Sequence, residues 1–235
     1  MLTNNFLALL ISFVLAVAWL RINNFAAHRG WVGSHLSRKI IHMGTGPLFV
    51  LTWLLFNDAY SARFLAALVP GLITIQFLLV GLGVIQDPAA VEAMSRSGDR
   101  REILRGPLFY GLVFVILTIV YWKDSPIGIV ALMLMCGGDG LAEILGRSYG
   151  RQRLPWNAEK SWMGSLGMLL GGWVFAMGIL AVYVAAGIFA GRLVDYLAAV
   201  SIIAVAGTVV ESFPLHDIDN ITVTLASVGL GYLFF

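Results

Sequence analysis

Eight uncharged, apolar runs divide the chain, at 6–20, 43–56, 64–85, 107–122, 126–138, 162–190, 196–210 and 221–235. A helix needs about 20 residues to cross the hydrocarbon core of a bilayer, so the shorter runs must borrow flanking residues or tilt. Only 12% of the 235 residues are charged and 59% are hydrophobic, whereas a soluble domain carries roughly 25% charged residues. The expected fold is therefore all-α: a polytopic helical membrane bundle of about eight spans, with seven as the fallback, forming a single domain over 1–235. No internal repeat, low-complexity tract or soluble domain interrupts it. The first 20 residues lack a basic leading segment and run into "AWLRINN", which reads as a retained helix rather than a cleaved signal. The lone cysteine, Cys136, permits neither an intrachain disulfide nor a cysteine-based zinc site.

The cations alternate along the chain. Between the first two runs lie Arg21, Arg29, Arg38 and Lys39; the next connection has Arg63 alone. The third has Arg96, Arg100, Arg101 and Arg105, and the fourth Lys123 alone. The fifth has Arg147, Arg151, Arg153 and Lys160, the sixth Arg192, and the seventh none. Cytoplasmic loops of membrane proteins carry the excess of Lys and Arg, so connections one, three, five and seven are expected in the cytoplasm and both termini outside. The seventh, "ESFPLHDIDN", instead adds Glu211, Asp217 and Asp219. One face thus collects most cations and a separate acidic cluster, a division that suits a site for both a polyphosphate and a metal.

Within "GGDGLAEILGRSYG", Asp139 and Glu143 continue an apolar run. Four residues apart, they share a helix face and repel each other. Each charge at mid-bilayer costs on the order of 2.5–3.5 kcal/mol on insertion scales. A divalent cation would relieve both problems; a bridge to Arg147 and neighbouring loop cations at the interface is the alternative. Gly137, Gly138 and Gly140 allow close approach of backbone or phosphate and are candidates for a break in the helix. Ala142, Gly146 and Gly150 recur every fourth residue, a small-residue pattern for helix packing.

Other polar stretches admit two readings each. In "SRKIIHMGTG", Arg38, Lys39 and His42 fall on one helix face; they suit an anion such as a nucleoside triphosphate, or merely anchor the helix. His35 and His42 are seven apart, which matches no zinc pattern. The third connection balances Arg96, Arg100, Arg101 and Arg105 against Asp99 and Glu102, and reads as a solvated link. Lys160 can serve as a point charge on phosphate beside the Ser161 and Ser165 hydroxyls, or snorkel to the interface with Trp162 in the aromatic belt. Neither G-x-x-x-x-G-K-[ST] nor G-x-G-x-x-G occurs. Asp217 and Asp219 offer oxygen ligands suited to Mg²⁺, or simply a polar turn between two spans. The sequon at Asn220 lies too close to the membrane, on the expected cytoplasmic side, to be glycosylated.

Taken together and in this order, "LSRKIIHMGTG", "SRSGDRREILRGPLFYG", "GGDGLAEILGRSYG", "EKSWMGSLGM" and "ESFPLHDIDNITVTL" resemble the polyprenol kinase family, in its phytol kinase and farnesol kinase branch. Dolichol kinases and CTP-dependent lipid cytidylyltransferases are more distant relatives. The resemblance implies an integral membrane enzyme phosphorylating an isoprenoid alcohol, with CTP as co-substrate and a divalent cation, Mg²⁺, as cofactor. In photosynthetic organisms the branch salvages phytol toward tocopherol. Some relatives carry Glu where this chain has Met163, so no catalytic acid is assigned there.

On that footing Asp139 is expected to hold Mg²⁺ on the nucleotide, with Glu143, Asp217 and Asp219 as further candidate ligands. Lys160, with Arg38 and Lys39, would offset phosphate charge, and His42, Ser161 and Ser165 complete the expected nucleotide contacts. Asp219 would orient or deprotonate the alcohol, making Asp139, Lys160 and Asp219 the catalytic set at the cytoplasmic side. The partners expected are the isoprenoid alcohol, a nucleoside triphosphate and the bilayer, with no nucleic acid. Two other readings fit the same residues: a CDP-lipid synthase releasing pyrophosphate, and a transporter whose acidic pair carries an ion.

Overall fold

A computed structural model describes residues 1–95, 97–215 and 218–235, and leaves undescribed the side chains of Asn24, Ser34, His35, Arg38 and Ala93. The apolar runs become helices: α1 (Asn5–His28), α2 (Ser34–Thr52), α3 (Ala62–Leu82), α5 (Gly106–Val120), α6 (Pro126–Met133), α7 (Asp139–Tyr149), α8 (Trp162–Ala185), α9 (Leu197–Ser212) and α10 (Asp219–Phe234). A short α4 (Pro88–Met94) lies in the third connection. Among the described residues, six segments are long and apolar enough to span a membrane: α1, α3, 100–120 through α5, α6 through α7, α8, and 193–212 through α9. The chain is a polytopic helical membrane bundle. Of the other two expected spans, α2 has its apolar part only over Lys39–Leu55 and α10 has 16 residues.

Helix ends follow from local chemistry. Asn4 caps α1 by accepting from the Phe6 and Leu7 amides, Ser125 caps α6 through the Ile127 amide, and Ser161 caps α8 through the Gly164 amide at 3.1 Å. Each satisfies a donor that the first helical turn leaves open. α1 continues past the expected run, so Arg21 lies on the helix and not in a connection.

The most buried segment runs from α6 into α7. The glycines there do not break the helix. Leu134–Gly138 instead forms a π turn between α6 and α7, with all five residues buried. Such a turn adds one residue without losing the ladder, and it re-aims the helix on its C-terminal side. Asp139 is the first residue of that re-aimed helix.

α7 packs along α8 with almost no side-chain spacer. A methyl group at Gly167 would stand 2.6 Å from the Leu141 carbonyl oxygen and 3.0 Å from Ala142 Cα, and one at Gly146 would stand 3.4 Å from Gly164 Cα. The small-residue spacing read at Ala142 and Gly146 does serve helix packing. Tyr183 of α8 donates to the Val50 carbonyl of α2 at 2.7 Å, and Trp173 donates to Ser201 of α9 at 3.0 Å.

The all-α expectation holds apart from one hairpin. β1 (Arg153–Leu154) and β2 (Asn157–Ser161) pair antiparallel around Pro155 and Trp156. Proline presets φ for the first central position of a turn. The hairpin is tied to the end of α9: Trp156 donates its indole N–H to Ser212 Oγ, and Asn157 donates its amide to the Ser212 carbonyl, both at 3.1 Å.

Candidate active site

Starts and ends of separate helices meet at one end of the bundle. α2 and α7 bring together Lys39, His42, Asp139 and Glu143; β2, α9 and α10 bring together Lys160, Glu211 and Asp219. The start of α5 joins them, because Asn220 donates to the Gly106 carbonyl at 3.3 Å.

Lys39 is the counter-ion of the intramembrane acidic pair. Its ammonium lies 3.3 Å from Asp139 Oδ2 and also contacts Glu143 Oε2. Arg147 approaches Glu143 from the exposed rim at 3.4 Å, so the bridge to Arg147 considered from the sequence exists, with Lys39 as the buried partner. His42 Nε2 stands 3.3 Å from Asp139 Oδ2, off the line a hydrogen bond requires, and makes no other hydrogen bond. The His42 ring packs on Tyr110 with centroids 4.4 Å apart. Tyr110 donates its hydroxyl to the His42 carbonyl at 3.0 Å and lies 3.3 Å from Cys136 Sγ in the π turn. Tyr110 therefore locks α2, α5 and the π turn around Asp139.

Lys160 does not snorkel. Its ammonium contacts Glu211 Oε1 and donates to Asp219 Oδ2 at 2.9 Å. Burial alone would lower its pKa; the two carboxylates outweigh that and hold it above the ordinary lysine value, so the side chain stays cationic. Glu211 is 6% exposed. The start of α5 links the two clusters: the Gly106 carbonyl accepts from Asn220, next to Asp219, and Tyr110 donates to the His42 carbonyl. Four carboxylates there share two partly or wholly buried ammonium groups.

Several buried polar atoms make no hydrogen bond. Five buried side-chain atoms among the described residues lack a hydrogen bond, and three of them belong to expected site residues: His42 Nε2, Ser165 Oγ and Asp219 Oδ1. Buried polar atoms are nearly always paired; His42 Nε2 at least faces the Asp139 carboxylate, which leaves Asp219 Oδ1 and Ser165 Oγ as acceptor and donor open to a ligand. Ser161 Oγ accepts from the Gly164 amide as a cap and retains its O–H for donation. The Arg38 side chain and Asp217 lie outside the described residues.

Three contributors have no role that the sequence makes legible. Glu211 stood only as part of an acidic cluster. Tyr110 lay hidden in an apolar run. The hairpin that delivers Lys160 had one signal, the Leu-Pro-Trp-Asn turn at 154–157. Among the described residues, no three acidic, histidine or cysteine side chains converge as a ready-made metal cage.

A polar, charged cluster at one end of an apolar bundle is the layout of a membrane enzyme or a transporter, and kinship separates them. The chain belongs to the phytol kinase and farnesol kinase family. It is 41% identical over 222 residues to a probable phytol kinase, chloroplastic, of Triticum aestivum, an overlap of 94% of this chain and 74% of that protein. It is 40% identical over 212 residues to the farnesol kinase, chloroplastic, of Arabidopsis thaliana, covering 88% and 68%. To phytol kinase 1, chloroplastic, of the same plant it is 37% identical over 209 residues, covering 88% and 69%. No protein-family model and no solved structure matches the chain.

Proposed function

We propose that this protein transfers the terminal phosphoryl group of CTP to the primary hydroxyl of a long isoprenoid alcohol, with phytol as the substrate, giving the alcohol monophosphate and CDP. Its family supplies the reaction class. The observation that carries the site assignment is the pair of lysine-bridged carboxylate clusters at one end of the bundle, beside which the buried Asp219 Oδ1 makes no hydrogen bond.

Phosphoryl transfer needs little covalent help from the protein; positioning and charge neutralisation do most of the work. Asp219 Oδ2 is held by Lys160 while Oδ1 is free, so Oδ1 can accept the hydrogen bond of the alcohol and take its proton. Lys160, fixed at the end of β2, offsets charge on the transferring group. Ser161 and Ser165, at the start of α8, donate to phosphate oxygens. Lys39 and His42 of α2 meet the remaining phosphates, the role expected from the sequence for Arg38 as well.

The residues present fit Mg²⁺. Asp139 is about a third exposed, at 35%, and its contact with Lys39 is long. Mg²⁺ is commonly held by one or two carboxylates with phosphate and water completing its shell, so no protein cage is needed. Asp139, backed by Glu143, would hold it together with the nucleotide phosphates; when bound it would neutralise phosphate charge.

The membrane setting then has a chemical reason. The alcohol's tail stays among lipid chains while its hydroxyl reaches carboxylates at the end of the bundle, where the nucleotide arrives from water. We place that end in the cytoplasm on the strength of its cations. The test is to incubate purified protein with phytol, CTP and Mg²⁺ and identify both products. Alcohol monophosphate with CDP, abolished by EDTA, is expected; pyrophosphate, or no product with any isoprenoid alcohol, overturns the reading.

A further inference from the structure

Glu211 takes no part in the phosphoryl transfer itself, yet it is the most enclosed carboxylate of the site. It sits in the last turn of α9, 6% exposed, with Lys160 as its cationic contact. Its Lys160 partner is shared with Asp219. A buried carboxylate is costly unless a cation holds it. The surrounding structure secures that cation: the hairpin bearing Lys160 is fastened to Ser212, the residue after Glu211, by both Trp156 and Asn157.

We infer that Glu211 is a positioning residue: it holds the Lys160 ammonium in place so that Asp219 is left available to the alcohol. The inference rests on the kinase reading. Lys160 has two carboxylate partners of different character. Glu211 is enclosed and fixed, whereas Asp219 is more open and keeps one oxygen unpartnered. With Glu211 in place, Lys160 can loosen from Asp219 toward incoming phosphate without leaving the site. Without the Glu211 charge, Lys160 would pair fully with Asp219, neutralising the group that must take the proton and withdrawing the cation from the phosphates. Glu211 touches neither substrate in this scheme and acts only through Lys160.

The experiment is a double-mutant cycle on purified protein with phytol, CTP and Mg²⁺. Glu211→Gln keeps shape and removes charge. It is expected to lower kcat by about 100-fold, the scale of losing one preorganised electrostatic contact, with KM for phytol and the Mg²⁺ half-saturation point within about twofold of the unmodified protein. In a Lys160→Met background, the further change Glu211→Gln should alter the residual rate by less than about twofold, since its target is gone. Glu211→Asp, which keeps the charge one methylene short, should recover part of the lost kcat; if Glu211→Gln does not accumulate, Glu211→Asp must itself show a lowered kcat at normal abundance. Full activity in Glu211→Gln overturns the assignment. So does an equal loss with and without Lys160, or a large shift in Mg²⁺ dependence, which would make Glu211 a metal ligand. If the unmodified protein phosphorylates no alcohol, the kinase reading itself falls and takes this inference with it.

Discussion

Lys39 stands between two carboxylates that would otherwise repel across one helical turn, and the two ways of disturbing it have opposite consequences. Lys39→Met removes the buried cation that stands between Asp139 and Glu143. Removing one partner of a buried pair costs about 3–5 kcal/mol, so this variant should unfold at visibly lower temperature in detergent. Asp139→Asn does the reverse. Lys39 keeps Glu143, so insertion and thermal stability should match the unmodified protein, while phosphorylation falls by at least about 100-fold. Parallel melting curves and rate measurements on the two variants check both statements; substantial turnover in Asp139→Asn would remove Asp139 from the site.

Two elements carry these side chains to their places, and each can be loosened separately. At the α7–α8 contact, Gly167→Val would drive a branched side chain into the Leu141 carbonyl and Ala142 Cα. The backbone atoms there cannot yield, so misassembly with loss of both stability and activity is expected, seen as aggregation in size-exclusion chromatography. The hairpin is gentler. Asn157→Ala removes one of its two ties to Ser212, leaving a buried carbonyl short of a donor at about 1–3 kcal/mol. Helix content by circular dichroism should be unchanged while kcat drops about tenfold, because Lys160 is less firmly held. The helices were legible from the sequence because hydrophobic runs and capping residues are local signals. Lys39 pairs with Asp139 across 100 residues, and Lys160 with Glu211 and Asp219 across 51 and 59. Nothing local encodes such pairings, so the sequence named the charged residues without saying which would neutralise which. The π turn was legible only as a glycine cluster; whether that cluster breaks or widens a helix depends on the α8 face packed against it.

At the scale of the molecule, the two ends of the bundle are chemically unlike, and that difference is testable as orientation. At the end opposite the site, Lys123 pairs with Asp58 at 2.9 Å and donates to the Phe56 carbonyl, Arg63 pairs with Asp124, and Asn5 donates to Asn57 at 2.8 Å. Each cation there has its own nearby acid, so this end carries little unbalanced charge. The site end carries the arginine-rich connections that the alternating pattern assigns to the cytoplasm. The lone cysteine is fully buried and should stay silent toward a membrane-impermeant maleimide, which gives a clean background for single introduced cysteines. Gln152 on the connection into β1 and Tyr60 at the far end are both exposed. In sealed vesicles of known orientation, Gln152→Cys should label only from the cytoplasmic face and Tyr60→Cys only from the other. The reverse pattern would put the carboxylates on the side away from cytoplasmic nucleotide, and a kinase fed by CTP could not work from there. Orientation and donor therefore stand or fall together, because a triphosphate cannot cross the hydrocarbon that holds the alcohol.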